Sequence, residues 1–121
     1  MRVKATTATA LNNLCWAAAV AGVGLEATLA DCDAGLAKQP DAGFIHDSRG
    51  LVLLRLGRID DAVATYDRAL AAVPGMAHAL YGRSLARARK GDAAAAAANK
   101  AAALKSDADM ETRYKEYGVV P

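Results

Sequence analysis

Large apolar, small and polar positions recur along the chain with a spacing of 34 residues. Setting 43–76 against 77–110 brings Arg49 onto Arg83, Leu51 onto Leu85, Arg55 onto Arg89, Gly57 onto Gly91, Leu70 onto Leu104 and Met76 onto Met110, with three alanine pairs besides. The same shift lays 9–42 on 43–76 more weakly, through Asp33 with Asp67, Leu36 with Leu70, Pro40 with Pro74 and two alanine pairs. Each unit reads as two helices. In the middle one, Asp41 behind Pro40 is placed to cap a helix running to Leu56, and Gly57 suits the left-handed conformation past a helix end. A second helix then runs from Ile59 to Val73, where Pro74-Gly75 stops it. Gly91-Asp92 repeats this punctuation as terminator and N-cap, and the run Ala93–Ala98 behind it reads as helix because alanine has the highest helix propensity. Gly22-Val23-Gly24 makes the turn of the first unit. A short last helix, Asp109 to Tyr117, ends at Gly118 with Pro121 beyond; Met110, Tyr114 and Tyr117 share one of its faces, which is expected to cover the last open helix surface.

Composition refines this picture. Alanine supplies 31 of the 65 hydrophobic residues, so the core must come from close helix contacts more than from bulky side chains. Scarce β-branched residues and abundant alanine exclude an all-β fold. Lys and Arg total 15 against 13 Asp and Glu, a balance with no electrostatic reason to bind nucleic acid or an anionic membrane. No apolar run reaches the ~18 residues of a membrane-spanning helix. Arg2 and Lys4 ahead of Leu11 to Leu25 imitate a signal peptide, but Asn12 and Asn13 interrupt the run, and a helix pair explains it better. Leu14 argues against a lipoprotein site at Cys15.

The two cysteines, Cys15 and Cys32, are symmetric about the Gly22–Gly24 turn. Antiparallel helices ~8–10 Å apart bring facing Cα atoms to ~4–5 Å, close to the disulfide window. A bridge and a pair of buried thiols are both open, with symmetry leaning toward the bridge. A bridge would place the protein in an oxidising compartment, such as a bacterial periplasm or the cell exterior; free thiols would suit the cytoplasm. His46 and His78 have no partner at metal-ligand spacing, and no phosphate loop, nucleophile elbow or paired acid–base carboxylates appear. No catalytic residue, metal or cofactor is expected.

The middle unit resembles the tetratricopeptide repeat. Gly50, Ala62 and Ala69 stand at its small-residue positions, Tyr66 at its aromatic position and Pro74 at its terminal proline. The outer units depart from the pattern: Trp16 and Ser84 replace the first-helix glycine, Lys100 the aromatic and Ala108 the proline. The resemblance implies an all-α fold, a right-handed superhelix of three antiparallel helix pairs with a C-terminal capping helix. The units are then 9–42, 43–76 and 77–110, between a tail 1–8 and a closing segment 111–121. It also implies that the first helices line a concave groove, carrying Asn13 and Ala17, then Phe44, Asp47, Leu51, Leu54 and Arg55, then His78, Tyr81, Leu85, Ala88 and Arg89. Such a floor suits a peptide, with aromatic anchors and arginines able to pair a carboxylate. Members that clamp a terminal carboxylate use Lys and Asn where this chain has Asn13, Asp47 and Tyr81, then Ala17, Leu51 and Leu85; Asp47 would repel that ligand.

The function expected is therefore a non-enzymatic module that binds a protein or peptide segment in the groove. The alternative is an assembly or oligomerisation module, such as the terminal array of a larger protein, associating through an exposed opening helix rich in Leu11, Leu14 and Trp16.

Overall fold

A computed structural model describes residues 7–119. Arg2, Lys4 and Pro121 lie outside the described residues. Seven helices make up the described chain: α1 Ala8–Ala21, α2 Leu25–Lys38, α3 Gly43–Arg55, α4 Ile59–Ala72, α5 Ala77–Arg89, α6 Ala93–Ser106 and α7 Met110–Tyr117. No strand occurs among the described residues.

Glycines end the first helix of each pair, Gly57 and Gly91 one period apart and Gly22 one position off that register. Gly22, Gly57 and Gly91 take φ of 72°, 78° and 88°, a region closed to most side chains. Asp92 caps α6 as expected, its carboxylate accepting from the Ala95 N–H at 3.2 Å. Asp41 does not cap α3: that helix begins at Gly43 behind Ala42, with no side-chain cap. Thr7, which the sequence assigned to the tail, caps α1 by accepting from the Ala10 N–H at 3.0 Å.

The helices pack as pairs, α1 on α2, α3 on α4 and α5 on α6. Neighbouring pairs join through α4 on α5, and through α3 against both α1 and α2. Tyr66 of α4 wedges between two first helices. A Cβ on Gly50 of α3 would lie 2.7–2.9 Å from its ring carbons, and one on Gly82 of α5 would strike its hydroxyl. The small residue at position 50 is thus required, and Gly82, not singled out in the repeat pattern, serves the same ring from the other side. Ser84, which stands at the glycine position of its unit, instead donates to the Ala96 carbonyl at 2.9 Å.

The period is also written in polar contacts. Arg49 donates to Asp33 (2.8 Å) and Thr65 (2.9 Å), tying α3 to α2 and α4. Arg83, one period on, donates to Asp67 (2.7 Å) and Asn99 (3.2 Å), tying α5 to α4 and α6. Arg55 donates to the Ala19 and Val20 carbonyls at the end of α1, and Arg89 to the Leu54 carbonyl at the end of α3. Helix ends leave such carbonyls unsatisfied, and a charged donor is a strong partner for them.

Cys15 and Cys32 form a disulfide between α1 and α2, fully buried, with Cα atoms 5.3 Å apart. Of the two readings open in the sequence, the bridge is the one found. The exposed apolar opening helix is not found: Leu11 is buried, and Leu14 and Trp16 are half-buried. No helix among the described residues is long and apolar enough to cross a membrane.

Candidate functional site

Helix α7 turns onto the side of the molecule that carries the first helices. Tyr114 is fully buried there; its hydroxyl donates to the His78 carbonyl at 2.7 Å and its ring meets Tyr81 at 4.7 Å. The Tyr117 carbonyl accepts from Arg55 at 2.8 Å, so one guanidinium ties the end of α1 to the end of α7. Gly22 leaves room for that side chain, since a Cβ there would lie 2.8 Å from the Arg55 Cζ. Lys100, which replaces the aromatic of its unit, reaches Glu111 of α7 at 3.4 Å.

What remains open on this side is a cleft of about 370 Å³ between α1, α3, α5 and α7. Asn12 and Trp16 line it from α1, Phe44, Asp47 and Ser48 from α3, His78 from α5, and Met110, Arg113 and Tyr117 from α7. The Trp16 ring stands at 88° to that of Tyr117, 5.9 Å away, and 4.7 Å from the His78 ring. The His78 Nδ1–H donates to Asp47 Oδ1 at 2.8 Å; the carboxylate can only accept, which sets the tautomer. His78 Nε2 is buried without a hydrogen-bond partner. The Ser48 hydroxyl donates to Asn12 Oδ1 at 2.8 Å. Phe44 is 44% exposed at the mouth.

Four phenols surround the site and stay neutral. Burial raises Tyr66 well above the ordinary phenol range, with the Asp47 charge adding to it. Tyr114 is raised by burial, then by Tyr66 and Asp47. Burial also raises Tyr81 and Tyr117, more modestly.

The residues expected to line a groove divide into four sets. Phe44, Asp47 and His78, from successive repeats, come together in the cleft. Leu51, Leu54, Tyr81 and Leu85 are buried in the hydrophobic core that also takes in Met110, Tyr114 and Val119, so they offer no open floor. Arg55 and Arg89 are engaged with backbone carbonyls. Asn13 is exposed and outside the cleft lining, and its neighbour Asn12 faces Ser48 instead. The sequence reading missed Trp16, Ser48, Met110, Arg113 and Tyr117 as cleft residues. The available signal was the shared face of Met110 and Tyr117; it marked a covering helix without saying which side that helix covers. His46, the other histidine, is buried and bonded to the Pro40 carbonyl at 2.8 Å, away from the cleft.

A search of curated proteins finds no match. A family profile described as tetratricopeptide repeat matches residues 48–110, spanning α3 to α6 and the start of α7. With paired helices on a 34-residue period, glycine-wedged Tyr66 and a matching profile over more than half its length, the chain belongs to the tetratricopeptide repeat family.

Proposed function

We propose that the chain is a non-enzymatic protein-binding module that takes a partner segment in the cleft between α1, α3, α5 and α7. The family supports protein partners in general. The observation that supports this cleft is the meeting of Phe44, Asp47 and His78, one residue set from each of two repeats, with Trp16 of a third. Aromatic side chains that combine apolar area with polar neighbours are the usual anchors of such sites. The floor first expected is largely filled by α7, so the partner is read as a short segment with one or two anchoring side chains.

An enzymatic reading draws less support. Asp47 and His78 form half of a nucleophile-activating array, but the nearby Ser48 hydroxyl is committed to Asn12 and not to His78. The assembly reading has lost its motive, since Leu11 is buried and Trp16 lines the cleft. The bridge, being closed, fits work in an oxidising compartment.

Capture of partners by the full chain tests the proposal. Phe44 and Val73 are equally exposed, at 44% and 45%, and only Phe44 lines the cleft. Phe44→Ala is expected to lose the specific partners and Val73→Ala to keep them. Equal capture by both variants would move the site elsewhere.

A further inference from the structure

We propose that the cleft receives an arginine side chain of the partner, a reading that rests on the cleft being the protein-binding site. The Asp47 carboxylate there is an acceptor only half supplied with donors. Asp47 has a 10% exposed side chain, and His78 engages only its Oδ1; no described residue donates to Oδ2. With its Nδ1–H donating to Asp47, the neutral His78 ring has Nε2 as its acceptor, buried and unpartnered. A ligand rich in N–H donors satisfies the free carboxylate oxygen of Asp47.

The walls select the form of that donor. Trp16 and Tyr117 set two rings almost at right angles, and Phe44 adds a third ring at the mouth. A guanidinium is planar, always charged, carries five donors and stacks on aromatic faces. The one cationic side chain in the lining, Arg113, already pairs with Asp107 at 3.0 Å and leaves the Asp47 charge uncompensated from that side. A carboxylate ligand would face Asp47 directly. A volume of about 370 Å³ accommodates one long side chain, at the lower end of the ~300–1,000 Å³ of small-molecule sites.

Trp16 is the single tryptophan of the chain, so its fluorescence reports the cleft alone. The probes are N-acetyl-arginine amide and its neutral analogue N-acetyl-citrulline amide, titrated into the full, oxidised chain. The arginine compound is expected to give a saturable change with a Kd on the order of millimolar, as befits one side chain. The citrulline compound is expected to bind at least about tenfold more weakly, a difference of ~1.4 kcal/mol. Asp47→Asn should abolish that preference and Phe44→Ala should weaken the arginine response, while Asp60→Asn, distant and exposed, should change neither. Equal response to both compounds, no saturation with either, or parental titrations in both cleft variants would overturn the proposal. If partner capture still depends on Phe44 in that event, the cleft stands as the site and only its ligand chemistry falls.

Discussion

The α1–α2 pair and the α3–α4 pair follow one plan and are held by different means. Ten of the thirteen residues of α3 are buried, including the run Leu51–Leu54, and Tyr66 locks α4 between a glycine of its own repeat and one of the next. Only four residues of α1 are buried, and two of those are alanines. What α1 lacks in packing it recovers through the Cys15–Cys32 bridge and through Arg55, which reaches over from α3 to its last carbonyls. Position in the array explains the contrast. Among the described helices the middle pair has a neighbour on each side and the first has one, and a repeat buries its faces only against neighbours. The difference also reaches the cleft, because Trp16, one of its walls, follows Cys15 directly in α1.

The contrast can be broken from the packed side first. Tyr66→Ala should cost about 3–5 kcal/mol by leaving a cavity between three helices, whereas Tyr66→Phe should cost no more than about 1.5 kcal/mol, the worth of one hydrogen bond. Urea midpoints of the two variants measure this; similar losses would mean that the hydroxyl, and not the ring, holds the pair. The covalent side comes next. Reducing the bridge, which closes a separation of 17 residues, should cost roughly 3 kcal/mol through the freedom it restores to the unfolded chain. Midpoints with and without reductant test it, and an unchanged midpoint would show that α1 packs well enough alone.

Arg55→Met is a smaller lesion. It keeps the apolar stem and removes the donors to α1 and α7, for an expected loss of about 1.5–3 kcal/mol. Trp16 fluorescence should change as well, and Arg89→Met, which removes a donor to the Leu54 carbonyl, should leave it unchanged.

Proton linkage gives the smallest effect at ordinary pH. The phenols of Tyr66 and Tyr114 are raised on folding, chiefly by burial, so the unfolded chain loses its protons first. Their contribution is fully present below about pH 10, the unfolded phenol value, and declines as pH rises beyond it. Denaturation at pH 8, 9, 10 and 11 should therefore show the phenol contribution unchanged to pH 9 and a loss above 10, with tyrosinate absorbance rising as the chain unfolds.

Much of this architecture was readable from the residues, because it rests on local chemistry. Gly57 and Gly91 announce helix ends through a backbone conformation that few other residues tolerate. The symmetry of Cys15 and Cys32 about a turn leaned toward the bridge that the structure contains, while leaving free thiols open. The repeated pairs Arg49 with Arg83 and Asp33 with Asp67 were visible as matches, and the structure supplies their cause, a ladder tying each first helix to the second helices on either side. The cleft was less legible, for reasons of geometry. The phase of α1 depends on how a divergent, alanine-rich repeat rolls against α3, and an error of one position exchanges Asn13 for Asn12. The side chosen by α7 depends on the turn after Ser106, whose hydroxyl donates to the distant Gly75 carbonyl at 3.1 Å. Gly82 escaped notice because its importance comes from a ring on another helix.

Hydrogen exchange along the chain, compared between oxidised and reduced protein at neutral pH, tests most directly the claim that the bridge stabilises the first pair and one wall of the cleft. The account predicts faster exchange in α1, α2 and the end of α7 on reduction, with α3 to α6 unchanged. Faster exchange in α3 and α4, or none in α7, would contradict it.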